Sequence, residues 1–276
     1  MKPDPSENQL AGKIFIVTGA ASGVGRSIAL RCAWLGAKGL VVSDVNNVEG
    51  RNTAAQIIEI GRETGAGTQA IYVQADLTLE TACREIVKVC DETFGQVDGV
   101  VNAAGRGTRG NLENTSVNLW NEMMNLHVRA PFLLTQDAST LMRREKTAGC
   151  MINIGSINAH GGDTEIMAYS VAKGALMTFT KSAALSLRQD HIRMYCINIG
   201  WTATEQEHTI QTETGQPENW LEAADQSMPF GRMSRPADIA PLVTFLLTDQ
   251  AQMATGSIIE WDQKLVLGPY SRPSSA

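Results

Sequence analysis

The sequence lacks the features that mark several large classes of protein. Its five cysteines, Cys32, Cys83, Cys90, Cys150 and Cys196, are scattered, odd in number and never spaced as C-x-x-C. A disulfide scaffold is therefore not expected, and each cysteine reads as a reduced thiol buried as a small hydrophobe. His160, His191 and His208 show no metal-ligand spacing, and no metal is expected. Basic residues are not in excess: 23 Lys and Arg face 29 Asp and Glu, for a formal net charge of -6. No chain-wide positive field invites nucleic acid or an anionic membrane. No run approaches 18 uninterrupted apolar residues, and no early apolar stretch reads as a signal peptide. The expectation is a cytoplasmic protein without a membrane span.

What remains is an ordinary globular composition, 43% hydrophobic and 19% charged over 276 residues. That length suits one α/β domain with a sizeable core. The expected boundaries are a loose tail over residues 1–11, one domain over 12–267, and a second tail over 268–276. Short apolar runs, Ile14–Val17, Leu40–Val42, Ala70–Val73, Gly99–Val101, Met151–Ile154, Met194–Ile199 and Ser257–Ile259, alternate with helical spacing. The helical stretches are 23–35, 47–62, 79–94, 116–144 and 169–188. Strands alternating with helices build βαβ units and a parallel sheet covered on both faces. Right-handed crossovers then give a doubly wound, Rossmann-like sheet of about seven strands. The polar segment 201–235 breaks the rhythm. It reads either as a functional lid or as a loop without fixed structure.

Thr18-Gly19-Ala20-Ala21-Ser22-Gly23-Val24-Gly25 follows the first strand and opens the first helix. A pyrophosphate there needs a sharp turn, a backbone it can approach without a Cβ, and free amides at a helix start. Gly19, Gly23 and Gly25, with Ser22 and Val24 between them, meet those needs, although glycine turns also serve packing alone. Asp44 ends the second strand, nineteen residues past Gly25. An acid at that point accepts hydrogen bonds from the adenosine ribose and repels a 2′-phosphate, so NAD is expected. Its plainer reading is a solvated turn acid. Asp76, with Leu77 beside it, reads as an adenine-edge residue or as a cap for the helix near Leu79.

Tyr169 and Lys173 are four apart in a helical stretch, which stacks them on one face. A phenol titrates near 10, and a neighbouring ammonium favours its anion. Ser156 follows the fifth strand at the carboxyl edge of the sheet, where open α/β sheets bind ligands. It reads as a turn residue or as a hydroxyl that holds a substrate oxygen.

In these residues the chain resembles the short-chain dehydrogenase/reductase family, from about Lys13 to Trp261. Thr18–Gly25 is similar to the family's T-G-x-x-x-G-x-G, and Asn102-Ala103-Ala104-Gly105 to its N-N-A-G turn, with Ala103 in place of the second Asn. Ser156 matches the catalytic serine and Tyr169-Ser170-Val171-Ala172-Lys173 the Y-x-x-x-K motif. The run 231–240 is similar to the segment after the substrate loop. The resemblance implies hydride transfer between NAD and a secondary alcohol or ketone. Tyr169 would be the general acid/base, Lys173 would lower its pKa and hold the nicotinamide ribose, and Ser156 would polarise the substrate oxygen. Asn102 and Gly105 would line the cofactor channel. The turn after strand six, with Thr202 and Thr204, would reach the carboxamide. A homotetramer joined through the two long helices is implied as well.

The chain departs from the family at several points. His127 stands where the long helix carries an Asn that organises a catalytic water; it reads as structural support, as a relay imidazole or as a core histidine. Ile199 replaces the usual Pro, and Trp261-Asp262-Gln263-Lys264 replaces a D-G-G turn. Two other readings share the motifs: a dinucleotide-sensing protein without chemistry, and a sugar-nucleotide epimerase or dehydratase, for which the chain is short. A polyol, sugar, hydroxy acid or acyl thioester all fit as substrate, its pocket shaped by segments 201–235 and 159–166.

Overall fold

Apolar strands with neighbours on both faces are the basis of the architecture. The computed structural model describes residues 9–161 and 163–264. In chain order the elements are β1 (Ile14–Thr18), α1 (Gly23–Trp34), β2 (Gly39–Asp44), α2 (Asn47–Glu63), β3 (Gln69–Gln74), α3 (Glu80–Phe94) and β4 (Gly99–Asn102). Next come α4 (Val117–Met124), α5 (Ala130–Glu145), β5 (Cys150–Ser156), α6 (Asn158–Gly161), α7 (Met167–Leu187) and β6 (Arg193–Ile199). The last are α8 (Glu205–Glu213), α9 (Trp220–Gln226), α10 (Pro236–Leu247) and β7 (Ile258–Trp261). The seven strands form one sheet in the order β3-β2-β1-β4-β5-β6-β7, and all pairings are parallel. The doubly wound fold expected from the alternation is present.

Successive strand residues point to opposite faces. Phe15, Val17, Leu40 and Val42 pack with Ile28, Ile57 and Ile239 from α1, α2 and α10. Ile14, Ile16, Val41 and Val100 pack on the other side with Ile86, Leu134 and Ala184 from α3, α5 and α7. All five cysteines are free and buried, as their scatter suggested. Among the described residues no helix is long and apolar enough to cross a membrane.

Three local features differ from the sequence-based expectation. The stretch 116–144 is not one helix: a π turn over Asn125–Arg129 separates α4 from α5 and turns His127 inward. Such an inserted residue re-aims side chains and is frequent at functional sites. Segment 201–235 is not an unstructured loop. It folds as α8 and α9 around its own small core of Trp220, Ala224, Met228 and Met233. The N-terminal tail also ends earlier than residue 11. Leu10 is fully buried, its amide donates to the Leu35 carbonyl at 3.0 Å, and Ala11 bridges Ala37. Residues 1–8 and the tail expected over 268–276 lie outside the described residues.

Because Leu10 fills the core beside α1, Leu10→Ala should lower the unfolding free energy by about 2–4 kcal/mol. Denaturant unfolding checks this, and a loss below about 1 kcal/mol would return Leu10 to the tail.

Candidate active site

The strand order reverses at β1, whose neighbours β2 and β4 lead away in opposite directions, and a crevice opens between the turns that follow β1 and β4. The Thr18 hydroxyl accepts the amides of Ala103 and Ala104, each at 3.2 Å, and so holds the two turns together. The approach is close enough to require glycine. A Cβ on Gly19 would sit 2.6 Å from Ala104 Cα, and one on Gly25 only 2.2 Å from the Gly19 carbonyl oxygen. Gly19 and Gly23 also adopt positive φ, +65° and +53°. Ser22 at the helix start makes no side-chain cap. The Gly23 amide instead donates to the Glu205 carboxylate at 3.0 Å, and Arg26 pairs with the same carboxylate. The start of α1 therefore seats an anion supplied by α8.

A cleft of about 1460 Å³ runs from this turn along the carboxyl edge of the sheet. Gly19, Ser22, Gly23, Val24, Gly25, Asp44, Asp76 and Leu77 line it, as do Gly105, Ser156, Tyr169, Lys173, Thr202 and Thr204, with Thr204 against Gly23 and Gly105 beside His127. Asp44 faces the cleft and also braces the glycine turn, accepting the amides of Ala21 and Asn46 at 3.0 Å each. Asp76 is a turn acid rather than a helix cap. Its carboxylate takes the Thr78 amide and hydroxyl at 2.9 and 2.7 Å, while Leu79 occupies the N-cap of α3. Thr202 donates to the Gly200 carbonyl, and Thr204 caps α8 by accepting the Glu207 amide.

Asn102 sits beneath the cleft rather than along it. Its amide donates to Asn153 Oδ1 at 2.8 Å, Asn153 donates to the Thr180 hydroxyl at 2.9 Å, and Asn102 Oδ1 is buried without a partner among the described residues. Asn153 and Thr180 were not singled out from the sequence. The signal was an asparagine inside the apolar run Met151–Ile154, since a buried amide must be answered by other polar groups. Glu205 and Arg26 left no such signal, because exposed charges on two distant helices meet only in the fold.

The end of β5 delivers Ser156 and the first turn of α7 delivers Tyr169, and the serine side chain stands near enough to the phenol to favour its anion. Burial raises the Tyr169 phenol above its ordinary value, and Ser156 beside it pulls the other way. Lys173, one turn on, is buried; its Nζ donates to the Ile154 carbonyl at 2.6 Å and lies 5.5 Å from the centre of the Tyr169 ring. Burial brings its pKa down to about 8. The lowering of Tyr169 by Lys173 expected from their spacing is not what the fold produces: burial raises the phenol, and the group that opposes it is Ser156.

His127 is fully enclosed and meets the Tyr169 ring edge-on, with centroids 5.1 Å apart at 88°. Its Nε2 lies 3.0 Å from the Arg106 carbonyl oxygen, a geometry that assigns the ring proton to Nε2. Burial first, and Lys173 second, hold its pKa well below the usual imidazole value, so the ring is neutral. A Cβ on Gly105 would stand 2.8 Å from His127 Cε1, which accounts for glycine at that turn. His160 turns away from the cleft to Glu260, at 2.7 Å.

The chain matches the protein family described as enoyl-(acyl carrier protein) reductase over residues 19–263. It is 32% identical over 251 residues to an uncharacterized oxidoreductase of Thermotoga maritima, covering 91% of this chain and 96% of that protein. It is 30% identical to a short-chain type dehydrogenase/reductase of Picea abies, covering 91% of each. Among solved structures, L-sorbose reductase from Gluconobacter frateurii, complexed with NADPH and L-sorbose, superposes with a TM-score of 0.85 at 26% identity. That match covers 95% of this chain and 99% of the other. The serine–tyrosine–lysine cluster at one end of a glycine-walled cleft, on a chain matched almost throughout, makes this protein an oxidoreductase of the short-chain dehydrogenase/reductase family.

Proposed function

We propose that the chain is NAD-dependent and interconverts a secondary alcohol and a ketone, with Tyr169 as the general acid/base. The observation that carries this reading is that Ser156, Tyr169 and, one helical turn on, Lys173 together line the cleft that begins at the glycine turn. A dinucleotide fits the residues present. The start of α1 already accepts a carboxylate, and the close-packed glycines leave no room for side chains where a pyrophosphate would lie. Gly19, Ser22, Gly23, Val24 and Gly25 would hold the pyrophosphate, and Asp44 the adenosine ribose, with Asp76 and Leu77 at the adenine edge. Gly105, Lys173, Thr202 and Thr204 would hold the nicotinamide half, above the Asn102 brace. When bound, the nicotinamide accepts or supplies the hydride.

The chain's own groups handle the proton. Ser156 holds the substrate oxygen, and Tyr169 takes the hydroxyl proton in oxidation and returns it in reduction. Burial keeps the phenol protonated at neutral pH, so the site rests as an acid. Lys173 resupplies the proton. His127, neutral and edge-on, fixes the tilt of the phenol ring, the structural reading among the three open for it. An intact acid/base cluster favours an enzyme over a dinucleotide sensor.

The rim beyond Tyr169 carries Arg106, Arg109, Glu122, Asp163 and Glu165, a donor- and acceptor-rich surface that suits a hydroxyl-rich substrate. The sorbose bound to the structural neighbour supports a polyol or sugar among the classes left open. Its NADPH, by contrast, makes Asp44 the deciding residue for the cofactor here. The exposed faces of α5 and α7, with Phe132, Val171 and Leu185, support assembly of a homotetramer through these helices. The composition supports a cytoplasmic enzyme.

Tyr169→Phe should lower kcat by roughly 10³-fold, within the range of general acid–base contributions, and leave the NADH dissociation constant within about threefold. Stopped-flow turnover and NADH fluorescence read the two effects, and retained turnover would remove Tyr169 from the chemistry. Asp44→Asn keeps the shape that braces Ala21 but loses the charge; the preference for NAD over NADP should narrow by about tenfold, roughly 1.4 kcal/mol. An unchanged ratio of kcat/KM values would exclude the ribose contact. Lys173 is an ammonium below its pKa of about 8 and a neutral amine above it. Ketone reduction should therefore stay level up to about pH 8 and fall at higher pH, and Lys173→Met should abolish that break; a break that persists in the variant belongs to another group.

A further inference from the structure

Behind Ser156, on the side away from the cleft, lies a polar cluster that the reaction chemistry does not use. Asn198 is completely buried on β6, in register with Gly155 on β5 and Glu260 on β7. Gly155 makes room for it: a Cβ there would lie 2.1 Å from Asn198 Oδ1. That oxygen accepts the Ser156 backbone amide at 3.2 Å. The amide nitrogen donates to Glu260 Oε1 at 2.9 Å and contacts Met177 Sδ at 3.1 Å. Met177 is one turn beyond Lys173 on α7. The same Glu260 oxygen accepts from His160 Nε2 at 2.7 Å, and His160 sits on α6, four residues after Ser156. The Ser156 hydroxyl in turn accepts the Asn158 amide at 3.2 Å.

These contacts close a ring. One path from Ser156 to His160 runs along the backbone; the other runs through Asn198 and Glu260. We propose that His160 and Glu260, acting through Asn198, are positioning residues that clamp the Ser156 turn and so aim its hydroxyl at Tyr169. The proposal rests on the acid/base reading of Ser156 and Tyr169 for its catalytic consequence, though the clamp itself is a matter of geometry. A buried amide with every polar atom engaged has one orientation, and a carboxylate acceptor strengthens the bonds that set it. Without His160 the outer side of the ring opens, and the turn carrying Ser156 keeps the Asn198 bond to its amide and the Ile157 amide on the Ile199 carbonyl. Glu260 is the last strand's contribution: it bonds Asn198 on the adjoining strand and His160 beyond it, 100 residues away in the chain.

The His160–Glu260 pair is partly exposed, with side chains 35% and 40% accessible, so its effect is moderate. In the full-length protein, His160→Ala should speed hydrogen–deuterium exchange in the peptide spanning residues 156–161 by about fivefold. It should lower kcat by a similar factor while the NADH dissociation constant stays within about twofold. His160→Gln, whose amide can donate to Glu260, should restore both readouts, and Glu260→Gln, which keeps the shape and removes the charge, should fall between. Unchanged exchange in His160→Ala overturns the clamp. Faster exchange with unchanged kcat overturns its link to Ser156. A parallel loss of NADH binding makes the cluster a general stabiliser instead and likewise overturns the assignment. If the parent protein binds NADH yet turns over no alcohol or ketone, the functional reading and the aiming of Ser156 fail together, while the exchange data still decide whether the clamp exists.

Discussion

The Thr18 hydroxyl, receiving two amides from the turn after β4, is the contact on which the geometry of the site depends. It fixes the distance between the two loops that border the switch in strand order. With that distance set, Gly19 must lie against Ala104 and Gly25 against the Gly19 carbonyl, and neither position tolerates a side chain. The start of α1 is thereby left facing the cleft with its Gly23 amide available to an anion. The chain's own Glu205 occupies that seat, which ties α8 and the segment over the cleft to the glycine turn. An anion seat and the docking of α8 thus arise from one packing constraint.

The other end of the cleft is governed by burial. Tyr169 and Lys173 are both pushed toward their neutral forms, and His127 beside them is neutral as well. Burial favours the neutral form of all three, the phenol by keeping its proton and the imidazole and amine by releasing theirs more readily. The polar contacts there, Lys173 to the Ile154 carbonyl and His127 to the Arg106 carbonyl, are directional and short in reach, so they set orientation more than charge. The proposed reaction asks for just that: a phenol held at a defined angle, with a proton to give. The amide chain Asn102–Asn153–Thr180 beneath the site, and the Asn198 cluster behind it, extend the same strategy to the supporting layer.

The sequence by itself determined the layered sheet, because apolar runs of strand length separated by helical spacing have few other ways to bury both faces. It also determined the residue types at the glycine turn, Asp44, Ser156, Tyr169 and Lys173, since each lies at a strand end or one helical turn from its partner and local spacing carries the information. Tertiary structure decided what local spacing does not encode. The π turn that points His127 inward, the burial that raises Tyr169, the withdrawal of Asn102 beneath the cleft and the capture of Leu10 by the core all depend on neighbours distant in the chain. The same holds for Glu205 on Gly23 and for His160 on Glu260, 182 and 100 residues apart. A hydrogen bond needs its two atoms within about 3 Å, and only the folded sheet brings such pairs that close.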